Sequence, residues 1–202
     1  MPIIWRTFFL IIFATSLLFV GWVLFHPKPA PRTQWEALDR VTVLREDGRY
    51  DEAVRTLQTW MQNDRRDVSR DGLLYQQIAM VYFIKAYKRP EAREDSVHQA
   101  ALNFDKALSL HDQEQADGIG ADLFEIGGGY ALLGDLSTAE KCEFYEKARL
   151  LFERQWPLIQ SDTYTAFGKA YPLASLRVEV KKHLDSVRQK LSSSGCPANV
   201  LQ

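Results

Sequence analysis

One spacing of residue types recurs along this chain and limits its fold more than any other feature. Two large residues three positions apart are followed by a small residue and then, three positions later, by an aromatic one. Offsets of three and four place such residues on one side of an α-helix, so the spacing predicts three similar helices. The copies are Tyr75-x-x-Ile78-Ala79-x-x-Tyr82, Leu123-x-x-Ile126-Gly127-x-x-Tyr130 and Tyr164-x-x-Phe167-Gly168-x-x-Tyr171.

A second apolar pattern, also at helical spacing, alternates with the first. Gly48 and Gly134 lie between the two patterns, where a glycine can take positive φ and end the first helix of a pair. The order predicts helix hairpins that stack, because one hairpin cannot bury its apolar face alone. The second pattern occurs as Ala53-x-x-x-Leu57-x-x-Trp60, Ala100-x-x-x-Phe104-x-x-Ala107 and Val180-x-x-x-Leu184-x-x-Val187.

Together these patterns resemble the tetratricopeptide repeat family, whose hairpins carry W-x2-L-G-x2-Y and then A-x3-F. The resemblance covers residues 34–191 and implies an all-α fold, a tetratricopeptide-like α-solenoid of about four helix hairpins. The stacking is expected to be irregular where the second unit carries a charged insertion, roughly Tyr87–Asp95 with Pro90. The implied units are 34–67, 72–111, 119–155 and 161–191.

The N-terminal segment predicts a transmembrane helix ahead of this domain. Residues Thr7–Phe25 form a run of 19 without charge, which as a helix reaches about 28 Å, close to the thickness of a bilayer core. Trp5 and Trp22 lie near its ends, as interfacial aromatic residues do. The sequence after the run offers a poor cleavage site, so we expect residues 1–26 to remain as a signal anchor. Residues 27–33 are a proline-rich spacer.

The side of the membrane is less clear from charge. Lys28, Arg32, Arg40 and Arg45 follow the span and only Arg6 precedes it, a count that would retain the domain in the cytoplasm. A very short N-terminal tail, however, usually stays inside while the following domain crosses. For a bacterial host we therefore favour an external, periplasmic domain.

The C-terminal region holds both cysteines of the chain on either side of the last predicted helix. Cys142 and Cys196 could form one bridge in an oxidising compartment. The interpretation we favour is a buried helical cysteine and an unpaired one in the tail. Residues 192–202, rich in serine, are expected to be a disordered tail.

Catalytic, metal-binding and nucleic-acid motifs are missing from the sequence. The four histidines show no metal-ligand spacing, and the net charge of -1 lacks the concentrated basic face that nucleic acid requires. The run Gly127-Gly128-Gly129 lacks the spacing of a phosphate-binding loop. One interpretation is that Gly127 permits two helices to approach closely. The other is that Gly128 and Gly129 leave room in a binding groove. We therefore expect a protein without catalytic activity, cofactor or small-molecule substrate.

The resemblance also implies where a partner binds, because the concave face of this family is lined mainly by the first helices. Carried over by position, the groove residues are Gln76, Met80 and Phe83 in the second unit, Phe124, Gly128 and Ala131 in the third, and Thr165, Lys169 and Pro172 in the fourth. Such a groove suits an apolar helix or an extended peptide.

The resulting hypothesis is a single-pass, membrane-anchored scaffold or accessory factor that binds a protein or peptide partner. The alternative is a structural homo-oligomer at the membrane surface.

Overall fold

The computed structural model describes residues 33–63, 71–114, 119–160, 165–166, 169–170 and 173–196. Within these ranges, no helix combines the length and the apolar character needed to cross a bilayer. The predicted anchor at residues 1–26 lies outside the described residues, as does the predicted spacer up to Arg32.

Helices dominate the described chain, which confirms the all-α prediction. A 3-10 turn at Pro90–Ala92 joins the third and fourth helices, and a two-stranded pair, β1 (Thr165–Ala166) and β2 (Lys169–Ala170), precedes the last helix. The helices are α1 (Gln34–Glu46), α2 (Tyr50–Asn63), α3 (Asp71–Lys88), α4 (Arg93–Glu114), α5 (Ile119–Leu136), α6 (Lys141–Gln160) and α7 (Leu173–Ser193).

Helix α1 begins and ends where its sequence predicts. The Thr33 hydroxyl accepts a hydrogen bond from the Glu36 backbone N–H at 3.1 Å and caps the first turn. At the other end Gly48 has φ +71°, and the Arg49 N–H donates to the Leu44 carbonyl at 2.8 Å. This closure satisfies carbonyls of the last turn and turns the chain into α2.

The helices pack as successive hairpins, with α1 against α2, α3 against α4, and α5 against α6. Alternate helices also touch, since α5 contacts both α3 and α7. One apolar cluster joins α1, α2 and α3 around residues such as Leu57, and a larger one joins α3 to α7 around residues such as Phe104. Helix α3 contributes to both clusters and links the two ends of the domain.

The fourth predicted hairpin is wrong in its first helix. Thr165 and Lys169 were expected on a helix, but Thr165 pairs with Ala170 and Ala166 with Lys169 in an antiparallel ladder. Threonine is β-branched and favours a strand, and the residue before Pro172 is biased away from helix. Among the described residues, no helix of the predicted fourth unit precedes α7, which packs against α6 instead, while β1 contacts α5.

Other predicted boundaries also move. Gly134 does not end α5 but lies inside it, where a Cβ would fall 2.5 Å from the Tyr145 ring, so glycine is needed there for close packing. The insertion was expected at 87–95, but only Arg89 and the 3-10 turn separate the two helices there, because both helices extend into the predicted segment. The predicted tail boundary at 192 is wrong, because α7 continues to Ser193.

Candidate interaction face

Helix α3 carries an apolar stripe that its neighbours leave partly uncovered. The residues follow one another at intervals of four, three, four and three, which keeps them on one side of the helix. Most are half-buried, while Tyr87 at the C-terminal end retains 61% of its surface. The stripe consists of Leu73, Gln77, Met80, Ile84 and Tyr87.

Helix α5 carries a matching stripe with less side-chain volume. It consists of Glu125, Gly128 and Leu132, and Leu132 is 42% exposed. A Cβ built on Gly128 meets nothing within 4 Å. The space above Gly128, in the middle of this stripe, is therefore unoccupied.

The two stripes lie on the same side of the domain. On α3, Ala79 and Ala86 are buried in the cluster shared with α4, on the side opposite the stripe. On α5, Tyr130 meets α4 through Phe104, again opposite the stripe. Because α3 and α5 contact each other and both stripes point away from α4, they form one surface, which we call the open face.

The residues of the open face are shifted by about one position along α3 and α5 from those of the predicted groove. Of the predicted residues, Met80 and Gly128 lie on it. Gln76 is 1% and Ala131 8% exposed, so both are buried between helices. The predicted positions lie one, five and eight residues after the first large residue, whereas the open positions lie two, five and nine after it.

Two further predicted residues, Phe83 and Phe124, are half-buried and pack against the core, as Met80 does in part, but they lie outside the two stripes. The Phe124 ring lies 6.1 Å from the Phe152 ring and edge-on to His183 at 5.3 Å, so it joins α5 to α6 and α7. The backbones of Thr165 and Lys169 belong to the strand pair; their side chains, and Pro172, lie outside the described structure.

The missed residues had a signal in the sequence. Leu73, Gln77, Ile84 and Tyr87 share the helical spacing of Met80, and the same offset on α5 gives Glu125 and Leu132. The family positions were carried over without asking which side of each helix its neighbours would cover. Only the observed packing answers that question.

A polar junction joins the two stripes. The Gln76 Nε2 of α3 donates a hydrogen bond to the Glu125 carboxylate of α5. The Gln76 Oε1 is buried and accepts no hydrogen bond from the described residues. An acceptor left in this way costs about 1–3 kcal/mol of stability. The open face therefore has a carboxylate at its centre and an unused acceptor behind it.

The three consecutive glycines of α5 have three different surroundings. A Cβ on Gly127 would lie 3.0 Å from the Phe152 ring, and one on Gly129 would lie 2.6 Å from Cε2 of Phe104. Gly127 and Gly129 thus permit close helix approach, and the expectation that Gly129 opens room in a groove is wrong. Gly128 alone faces open space.

A tyrosine–aspartate–lysine group ties α4, α5 and α6 together behind the open face. The Tyr130 hydroxyl donates to Asp105 Oδ1 at 2.6 Å, and Lys147 Nζ donates to Asp105 Oδ2 at 3.0 Å. Burial and the hydrogen bond to Asp105 raise the pKa of Tyr130 above its ordinary range. Desolvation lowers the pKa of Lys147, but Asp105 and Glu143 outweigh it and raise that pKa overall.

The same arrangement recurs one helix further along, between α5, α6 and α7. The Tyr145 hydroxyl donates to Asp135 Oδ1 at 2.6 Å, and Lys190 Nζ donates to Asp135 Oδ2 at 2.6 Å. Each lysine also lies over its tyrosine ring, with Nζ 5.3 Å from the Tyr130 centroid and 5.4 Å from that of Tyr145. Both groups fasten neighbouring helices.

Arginines add further links between α6 and α7. Arg149 contacts Glu146 at 2.5 Å and Glu153 at 2.6 Å, and Arg188 of α7 contacts the same Glu153 at 2.8 Å. Desolvation raises the pKa of Glu153, but the hydrogen bonds from Arg188 and Arg149 outweigh it and lower that pKa overall.

Cys142 and Cys196 form a disulfide with their Cα atoms 5.5 Å apart. The bond joins the first turn of α6 to the residue after Gly195, which has φ +69°. The expectation of an unpaired cysteine in a disordered tail is therefore wrong. A bridge of this kind persists in oxidising compartments.

Within the described ranges, no three His, Cys, Asp or Glu side chains lie close enough together to hold a metal ion. No protein-family model, curated protein or solved structure matches the chain. The geometry of the open face is therefore the observation from which a function has to be argued.

Proposed function

We propose that this protein is a single-pass, membrane-anchored interaction module whose tetratricopeptide-like hairpins hold a protein partner on the open face. It acts as a scaffold or accessory factor and not as an enzyme. The observation that carries the proposal is the pairing of the apolar stripe of α3 with the space above Gly128 of α5.

The form of this face suits a peptide better than a small molecule. Met80, Ile84 and Tyr87 present apolar surface along about two turns of α3, and Leu132 continues it on α5. Peptide-binding grooves combine such a row of apolar contacts with room for the anchoring side chains of the partner. Gly128 leaves room of this kind, because any other residue would place a side chain there.

Two features support an external domain held at the membrane. The uncharged run Thr7–Phe25 has the length of an anchor, and the Cys142–Cys196 bond favours an oxidising compartment. We expect the full-length protein from cells quenched in acid to react with maleimide-polyethylene glycol only after reduction. Addition of two maleimides before reduction would contradict the external location.

Site-specific photocrosslinking in the native membrane tests the proposed binding. A benzoylphenylalanine at Gly128 or at Leu132 samples the open face. Controls at Leu102 of α4 and Leu150 of α6 are similarly exposed, at 49% and 50%, but lie on second helices of the hairpins.

We expect adducts with a different protein from the two positions of the open face and not from the controls. Adducts only with a second copy of the chain would favour the structural homo-oligomer instead. Equal yields of adduct at all four positions would refute the open face as a specific binding surface.

A further inference from the structure

Glu125 differs from most carboxylates that link the hairpins of this domain. Asp105, Asp112, Asp135 and Glu153 each contact a lysine or arginine within 3.0 Å. Glu125 is exposed, and its bond comes from the neutral amide of Gln76. Among the described residues, no cation lies within ion-pair distance of it.

The carboxylate of Glu125 is the accessible part of the junction. Gln76 uses its amide N–H on Glu125 and is itself buried, whereas Glu125 is exposed. An exposed carboxylate matches the forked donors of an arginine side chain.

We infer that the partner segment is an amphipathic peptide that places one basic side chain, preferably arginine, on Glu125. Its apolar residues lie along Met80, Ile84, Tyr87 and Leu132, and the space above Gly128 admits one of them. This inference rests on the proposed function and specifies the chemistry of the partner at the same face.

The charge of the open face supports this choice of partner. The stripe residues of α3 are uncharged, and Glu125 is the charged residue among Glu125, Gly128 and Leu132. A segment with a basic residue within an apolar face therefore complements it, and one with an acidic residue there is repelled. A single charge contact at an accessible position gives selectivity more than it gives affinity.

Two synthetic probes test the inference against the full chain in nanodiscs of zwitterionic lipid. One is a fluorescein-labelled, 16-residue helical peptide of Leu, Ala and Gln with one central Arg. The other has citrulline, which is neutral and of nearly the same shape, at that position. Fluorescence anisotropy measures both affinities, with empty nanodiscs subtracted.

We expect the arginine peptide to bind about three- to tenfold more tightly than the citrulline peptide, and the ratio to fall as salt rises. In Glu125→Gln, which keeps the shape and the acceptor for Gln76, the ratio should fall to about one. Glu94→Gln on α4, the helix from which both stripes point away, is a matched control with an exposed carboxylate, and should keep the wild-type ratio.

Gly128 offers a second test that leaves Gln76 and Glu125 themselves unchanged. Gly128→Arg places a cation three residues from Glu125, where it can pair with it on the same helix, and should abolish the preference for arginine. Gly128→Gln has similar length without charge; it fills the same space and should weaken both peptides alike, so their ratio should stay as in the wild type. Both side chains begin in open space, so we expect both variants to fold.

Equal affinity of the two peptides for the wild-type chain, or an unchanged ratio in Glu125→Gln, would overturn the inference. So would the failure of the arginine peptide to bind at all. In each case the crosslinking at Gly128 and Leu132 still decides the proposed function separately, because it does not depend on the charge of the partner.

Discussion

The N-terminal and the C-terminal end of the helical domain are each stabilised by different kinds of contact. At the N-terminal end, α1 and α2 meet α3 through an apolar cluster that includes Val41, Leu44 and Leu57. The polar contacts there, such as Lys85 with Asp51 at 2.8 Å, lie at the surface. At the C-terminal end a disulfide and several polar groups reinforce the apolar core.

The difference follows from the missing first helix of the fourth unit. Each of α1 to α6 has a hairpin partner, whereas α7 follows a short strand pair. Polar contacts hold α7 along its length. Arg177 donates to the carbonyl of Ile159 at 2.7 Å, Arg188 contacts Glu153, and Lys190 contacts Asp135. The disulfide follows the end of the helix. The last helix thus combines apolar packing against α6 with polar and covalent links along its length.

Removal of the disulfide should have the largest effect on this comparison. The bond spans 54 residues, and closure of a loop of that size contributes up to about 4 kcal/mol by reducing the entropy of the unfolded chain. Cys142→Ser, Cys196→Ser and the double variant should lose similar stability in urea unfolding followed by circular dichroism. A loss below about 1 kcal/mol would mean that the noncovalent contacts of α7 hold it in place without the disulfide.

Leu57→Ala tests the N-terminal end, where apolar packing has no covalent support. Leu57 is fully buried, so its truncation should cost about 3 kcal/mol. Hydrogen exchange should speed up first in α1 and α2, while α5 to α7 remain protected. Equal loss of protection in α7 would show that the two ends unfold as one unit.

Adjacent glycines of α5 allow a matched pair of substitutions. In Gly129→Ala the new methyl group would overlap the buried Phe104 ring, and we expect a loss of about 2 kcal/mol. In Gly128→Ala the methyl group meets nothing, and the better helix propensity should add up to about 1 kcal/mol. Thermal unfolding of both variants measures the contrast, and the same sign for both would contradict the packing described here.

Tyr145→Phe removes one hydrogen bond of the C-terminal fastening and should cost about 1 kcal/mol. Burial and the bond to Asp135 raise the pKa of Tyr145, so its contribution is complete below the unfolded pKa of about 10 and is lost as pH rises above it. Urea unfolding between pH 8 and pH 11 should show a shallower decline in Tyr145→Phe than in the wild type. Parallel declines would argue against the hydrogen bond.

The smallest effect is expected from Asp51→Asn at the N-terminal end. Its partner Lys85 is partly covered, but the Asp51 side chain is 67% exposed, and exposed pairs contribute about 0.5 kcal/mol or less. Chemical denaturation at low and high salt should show little difference from the wild type. A loss of stability above 1 kcal/mol would show that a polar contact also stabilises the N-terminal end.

Helices were predictable wherever their apolar spacing agreed with their end signals. Gly48 marks the end of α1 in the sequence because it acts on backbone groups within a few residues. The fourth unit shows the limit of spacing: Tyr164-x-x-Phe167-Gly168-x-x-Tyr171 repeats the pattern, but the described residues within it are strands. The spacing of apolar residues does not take account of the preference of Thr165 for strand or of the bias against helix that Pro172 imposes on the residue before it.

The candidate face was predictable in part. Met80 and Gly128 followed from the repeat, whereas Gln76 and Ala131 are buried because α3 and α5 lie against their neighbours on that side. The polar partners of Tyr130 and Tyr145 were also beyond sequence reasoning. Each joins residues from three helices, and no spacing along the chain brings these together.

The amino-acid sequence by itself determined the helical character of this protein, the ends of α1 and the alternation of first and second helices, because these depend on neighbours within a few turns. Only the tertiary structure decided which side of α3 and α5 stays open, how the three adjacent glycines of α5 differ, and that Cys142 meets Cys196. Those outcomes depend on contacts between residues far apart in the chain, where packing and covalent closure act on whole helices.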